Sequence, residues 1–100
     1  MLIIMGYIYV EPSSLSAFVR DIQNLAVATR QREGNLSYDA AVDDPRAGRL
    51  LIAERWKDQA ALTAHLQAID TTAFVGRWAH AIRGEILKYD ALRGRGLLEE

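Results

Sequence analysis

The stretch Leu36-Ser37-Tyr38-Asp39-Ala40-Ala41-Val42-Asp43, then Asp44-Pro45-Arg46-Ala47-Gly48, then Arg49-Leu50-Leu51-Ile52-Ala53-Glu54-Arg55-Trp56-Lys57 decides the fold. Its first part alternates. Leu36, Tyr38, Ala40 and Val42 fall on one face and Ser37, Asp39, Ala41 and Asp43 on the other, the pattern of a half-buried edge strand. The middle part is turn chemistry: proline fixes φ, and glycine permits positive φ. The last part is a return strand, with Leu50, Ile52, Glu54 and Trp56 on one face and Leu51, Ala53 and Arg55 on the other. The two strands predict an antiparallel hairpin.

Upstream, Leu2 to Val10 is rich in β-branched and aromatic residues and apolar at odd and even positions alike, which predicts a strand buried on both faces. Pro12 breaks it, and either Ser13 or Ser14 can cap the next helix. Leu15, Phe18, Val19, Ile22, Leu25, Ala26 and Thr29 recur at helical spacing, carrying that helix to about Arg32. Gly34 suits the left-handed position that ends it. Downstream, Asp58 caps a second helix whose inner stripe is Ala61, Leu62, His65, Leu66 and Ile69. Asp70-Thr71-Thr72 reads as a fresh N-cap and a change of direction. A short third helix turns Phe74, Val75, Trp78 and Ile82 inward, and Gly84 closes it. Glu85 to Leu92 is the last strand, and residues 93–100 form a tail that is frayed or lies on a partner.

The order β-α-β-β-α-α-β is an α+β class chain on the split βαβ, ferredoxin-like plan, with a four-stranded antiparallel sheet in one domain over 1–92. Crossovers through helices pair strands in parallel; the hairpin pairs its strands antiparallel. Both helical stripes cover one sheet face. The other face keeps apolar side chains from the first strand and the hairpin, a patch that soluble monomers rarely expose. A homodimer with two sheets face to face is the economical answer.

Composition narrows the function. Twelve basic and thirteen acidic residues give a net charge of -1, which argues against nucleic acid as a partner. Cysteine is absent, which removes disulfides, zinc-thiolate sites, iron–sulfur clusters and thiol nucleophiles. The apolar N-terminus lacks a basic flank and a cleavage site and is too short to span a bilayer, so the expectation is a cytoplasmic protein without a membrane partner. Phosphate loops, dinucleotide fingerprints and nucleophile elbows are missing.

The elements Gly34-Asn35-Leu36-Ser37-Tyr38, Glu54-Arg55-Trp56, Ala60-Ala61-Leu62-Thr63-Ala64-His65-Leu66 and Thr72-Ala73-Phe74 resemble the antibiotic biosynthesis monooxygenase domain, over nearly the whole chain. The resemblance implies a dimeric α+β barrel. Many such proteins oxidise quinols or anthrone-like polyketides with molecular oxygen and no metal, flavin or nicotinamide. Others break down haem or isomerise small phosphorylated signals such as autoinducer-2 phosphate, and some have no known activity. Many carry a second histidine five residues after the first. Here that position is Asp70, which speaks against a histidine-pair mechanism and suits a helix cap.

His65 shares a helical face with Leu62, Leu66 and Ile69 and is the candidate catalytic residue, as a general base or a hydrogen-bond donor; the alternative is a core-edge histidine on a backbone carbonyl. His80 lies about 200° round its helix from Trp78 and is read as solvated. The two histidines therefore do not converge on a metal. Tyr38, Trp56, Phe74 and Trp78 are candidates to line a cavity for a flat substrate, with the Tyr38 hydroxyl holding a phenolic oxygen, or are simply core. Asn35 holds a substrate oxygen or is a plain turn residue. Glu54 needs a partner if buried, expected to be an arginine. Tyr7 and Tyr9 serve the pocket or the dimer face. The reading is a cofactor-independent monooxygenase acting on a small aromatic quinol or phenol and O2, with His65 as base. The alternatives are a non-catalytic ligand-binding module and an isomerase of the signal-degrading type, for which no cationic cluster stands out.

Overall fold

A computed structural model describes all 100 residues. The elements are β1 (Leu2–Tyr9), α1 (Leu15–Thr29), β2 (Asn35–Asp44), β3 (Arg49–Trp56), α2 (Gln59–Gln67), α3 (Ile69–Trp78) and β4 (Arg83–Asp90), with 3₁₀ turns at Pro12–Ser14 and Ala79–Ala81. The sheet order is β2-β3-β1-β4, and every neighbouring pair is antiparallel. This is the expected ferredoxin-like plan. No strands pair in parallel, however: β1 and β2 run the same way, but β3 returns between them.

The hairpin forms as its sequence dictates. Asp44 Oδ1 accepts the Arg46 and Ala47 amides at 3.0 and 3.3 Å, and Gly48 takes φ 69°. A side chain at Gly48 would meet the Val10 carbonyl. Bulges interrupt the β2–β3 ladder between Asn35 and Ser37 and between Val42 and Asp44. Leu36 therefore leaves the alternating face assigned to it and is half-exposed, while Tyr38 and Ala40 keep theirs.

β1 is buried on one face only. Leu2, Ile4 and Ile8 lie under the helices, whereas Met5 and Tyr7 remain 44% and 46% exposed on the other side. In a single chain nothing covers that second face. Neither serine caps α1 with its hydroxyl; a 3₁₀ turn opened by Pro12 leads in instead, with the Ser14 amide on the Glu11 carbonyl at 2.7 Å. The helix ends at Thr29, whose hydroxyl donates back to the Leu25 carbonyl at 2.7 Å. Tighter bonds, Gln31 to Ala28 and Arg32 to Thr29, then carry the chain out. Gly34 (φ 82°) serves the turn into β2 rather than the helix cap, and a Cβ there would lie 2.4 Å from that of Ala61.

Asp58 caps α2 as expected, accepting the Ala61 amide at 2.9 Å. The break before α3 falls at Ala68, in extended conformation. Ile69 thereby opens a new helix and points outward, 88% exposed, instead of extending the inner stripe. Asp70 sits in the first turn of α3, not at its cap, and Val75 is half-exposed. Gly84 lies within β4, where φ 116° and close approach to the Tyr7 carbonyl exclude a side chain. Phe18 is the hub of the helical layer: its ring lies 5.6 Å from Phe74 and 5.1 Å from Trp78, edge-on to the latter. Arg77 forks onto Asp21 at 2.8 Å through two nitrogens, and Trp78 Nε1 donates to the same carboxylate at 2.6 Å. These contacts lock α3 to α1. Residues 91–100 carry no helix or strand, and no helix of the chain is long and apolar enough to cross a membrane.

Candidate functional site

Register explains why a hollow exists. On the helix-facing side, Ala40, Ile52, Gly6 and Ile86 form one row across the four strands. Two of the four carry little or no side chain, so the helices cannot be met by bulk there. The result is a mostly apolar cavity of about 400 Å³ between α1, α2, α3 and the sheet, the size of a small-molecule site. The adjacent row is Tyr38, Glu54, Ile4 and Lys88. Tyr38 and Glu54 are direct cross-strand neighbours, with Cβ atoms about 5 Å apart. Both are buried. Lys88 occupies the exposed β4 end and donates to Gln59 Oε1 at 2.7 Å.

His65 descends from α2 onto this polar corner, 3% exposed. Its ring lies 5.6 Å from that of Tyr38 and 4.9 Å from that of Trp56. Nδ1 faces Arg32 Nη1 and the Thr71 hydroxyl. The same Arg32 nitrogen donates to Thr71 Oγ1 at 3.0 Å, and Nη2 donates to Asp70. A guanidinium has only donors, so Nδ1 accepts and the ring proton of neutral His65 sits on Nε2. Burial, aided by the Arg32 charge and opposed by Asp70, lowers the imidazole from 6.5 to about 4. His65 is therefore neutral at pH 7, held by side chains and not by the backbone carbonyl considered for it.

Glu54 does not pair with an arginine. Its Oε1 accepts Trp56 Nε1–H at 2.9 Å. The two residues sit two apart on one face of β3, so the indole reaches back to its neighbour. Burial raises the Glu54 carboxyl above the ordinary carboxylate range, against the lowering effect of the indole N–H. Burial and the nearby Glu54 also raise the Tyr38 phenol, which stays protonated at physiological pH. The Tyr38 hydroxyl, the second Glu54 oxygen and His65 Nε2 make no hydrogen bond within the chain. Yet no buried side-chain nitrogen or oxygen lacks a partner. All three atoms therefore reach accessible space, and the three residues that carry them all line the cavity. The corner offers two neutral donors and one carboxyl oxygen to whatever enters.

Of the residues singled out from sequence, His65, Tyr38 and Phe74 border the cavity. Trp56 is fully buried and stands behind His65 as its support. Trp78 packs on Phe18 and bonds Asp21, away from the cavity. Asn35 folds back onto the sheet at the bulge, donating to the Ser37 carbonyl of its own strand at 3.1 Å and to the Arg55 carbonyl of β3 at 3.5 Å. Tyr7 and Tyr9 lie on the opposite sheet face, where the Arg49 guanidinium covers the Tyr7 ring at 4.9 Å. His80 is exposed, as its helical angle implied. Sequence reasoning passed over Arg32, Thr71 and Lys88. Arg32 carried a signal, since Leu25, Thr29 and Arg32 continue the inner helical spacing by one turn.

A family model described as antibiotic biosynthesis monooxygenase matches residues 1–77. A Bacillus subtilis (strain 168) protein named "Putative monooxygenase YcnE" is 30% identical over 77 residues, covering 77% of this chain and 81% of that protein. The crystal structure of a "putative antibiotic biosynthesis monooxygenase" from Deinococcus radiodurans superposes with a TM-score of 0.87 at 25% identity, covering 99% of this chain and all of that one. A second crystal structure, of an antibiotic biosynthesis monooxygenase, gives 0.80 at 27% identity, with 93% of this chain and 100% of that chain covered.

Proposed function

The chain belongs to the antibiotic biosynthesis monooxygenase family, and we propose that it oxygenates a small aromatic quinol or phenol with O2, the ring itself supplying the electrons. The observation that carries this reading is the polar corner. Tyr38, Glu54 and His65 bring a phenol, a carboxyl and a neutral imidazole N–H to one end of an otherwise apolar cavity. Apolar walls suit a flat ring, and the donors suit its oxygen. Loss of the ring's hydroxyl proton makes the substrate electron-rich enough to reduce oxygen. A carbon–oxygen bond then forms at a ring C–H position, the second oxygen atom leaves as water, and a hydroquinone becomes a hydroxyquinone. The ring gives up all four electrons, so the balance needs no external reductant. Fixed donors in a dry site stabilise the ring oxyanion far better than water does. His65 suits that donor role, because Arg32 occupies its basic nitrogen.

The working unit we propose is a homodimer. Only 19 of 100 residues are buried in the single chain, and every residue of β4 is exposed. Met5, Tyr7, Leu87 and Tyr89 stand half-exposed on the sheet face away from the helices. Two such faces packed together would cover the patch.

Oxygen uptake with one- to three-ring quinols, measured against autoxidation and in the presence of chelator, tests the reaction. Uptake matched to quinol loss in colourless protein is expected. Binding of quinols without any uptake would make the cavity a ligand-holding site only.

A further inference from the structure

We propose that the Glu54 carboxylate, and not His65, takes the proton from the bound substrate hydroxyl. The inference deepens the oxygenase reading and rests on it for the identity of the substrate as a ring hydroxyl.

Besides Lys88, whose ammonium is a donor held by Gln59, three groups border the corner, and only one of them has a free basic site. The Nδ1 lone pair of His65 is engaged by Arg32 and by the Thr71 hydroxyl. Arg32 is fixed in turn by Thr71, Thr29 and Asp70. What His65 has left is an N–H. Tyr38 has an O–H that burial keeps protonated. Glu54 has one oxygen tied to the Trp56 indole at 2.9 Å and a second without a partner in the chain. The titratable and charged groups around this corner are Arg32 from the α1–β2 turn, Asp70 on α3, Glu54 and Tyr38 on the sheet, and Lys88 on β4, which lines the same cavity and donates to Gln59 Oε1. Among them Glu54 alone faces the cavity as an acceptor. Burial strengthens it as a base. The proton moves from substrate oxygen to Glu54 Oε2, and the two electrons of the broken O–H bond remain on the ring oxygen. The Tyr38 hydroxyl and His65 Nε2–H then donate to that oxyanion.

The experiment uses 4-nitrophenol as probe, whose anion is yellow, at a pH where the free phenol is mostly protonated. Wild-type protein should convert the bound probe to the anion. Glu54→Gln keeps the acceptor for the Trp56 indole, and folding is checked by its melting temperature. It should bind the probe as neutral phenol, and Glu54→Asp should restore part of the yellow form. With a quinol that turns over, Glu54→Gln should lose 10²–10⁴-fold in kcat/KM together with the acid limb of the pH profile, whereas His65→Ala should be slower but keep that limb. An anionic probe in Glu54→Gln, a neutral probe in wild-type protein, or an acid limb lost with His65 instead would each overturn the proposal. If wild-type protein ionises the probe in a Glu54-dependent way but consumes no oxygen with any quinol, the oxygenase reading fails and the Glu54 assignment stands. If 4-nitrophenol does not bind, both fall.

Discussion

Acidification should weaken this protein through His65, by an amount the structure sets. In the unfolded chain the imidazole takes a proton near 6.5, whereas in the folded chain it does so only near 4. The unfolded state therefore binds more protons across that window, and stability falls as the pH drops through it. The gap amounts to about 3 kcal/mol at about 1.4 kcal/mol per pKa unit. Glu54 acts in the opposite sense, because its folded-state affinity for a proton is raised, so the raw stability curve mixes the two. The clean perturbation is His65→Gln, which keeps an acceptor for Arg32 but cannot titrate. Urea unfolding of wild type and variant at fixed protomer concentration, in steps from pH 7 downward, isolates the histidine in the difference. Wild type should lose about 3 kcal/mol relative to the variant between pH 6.5 and 4. The loss should be gradual and complete near the lower value. A flat difference would mean that His65 titrates as it does in water. A difference of opposite sign would mean that Asp70 holds a protonated His65 in the fold, which would undo the tautomer assigned to it.

Other perturbations read other parts of the molecule. Light scattering after gel filtration should give the mass of two chains at micromolar concentration, and Leu51→Lys on the open sheet face should shift it toward one; a wild-type monomer would remove the dimer. His65→Ala should slow quinol turnover by about 100-fold, with the melting temperature tracked, while His80→Ala should change little; equal rates per folded molecule for His65→Ala would make His65 structural. Phe18→Ala should cost about 3–5 kcal/mol in chemical unfolding, because the ring is fully buried between Phe74 and Trp78; a loss under about 1 kcal/mol would contradict that packing.

Much of this was legible in the residues. The hairpin, the Asp58 cap, and the inward placement of Leu62 and His65 follow from spacing and turn chemistry alone. Other features depend on contacts far apart in sequence. The second apolar face of β1 looks buried on paper because pattern cannot say whether a covering layer belongs to the same chain. Leu36 leaves its face because a bulge between Asn35 and Ser37 resets the alternation, and nothing in the local pattern marks it. The inner stripe of α2 stops before Ile69 because the backbone turns at Ala68. The cavity arises where Gly6 and Ala40 meet the same residue, Ile52, across the sheet. That coincidence of register appears only once the strands are paired. The state of His65 was hidden for a related reason. It depends on Arg32, 33 residues away, reaching it from the turn after α1.

Turnover of a quinol under ¹⁸O₂, followed by mass spectrometry of the product, tests most directly the proposal that oxygen is inserted into a ring in the cavity beside Tyr38, Glu54 and His65. One ¹⁸O atom per product molecule, formed above the autoxidation rate and lost in Glu54→Gln, is the predicted result. Product that takes its oxygen from water, or consumption of oxygen that ends as hydrogen peroxide with no labelled ring, would contradict it.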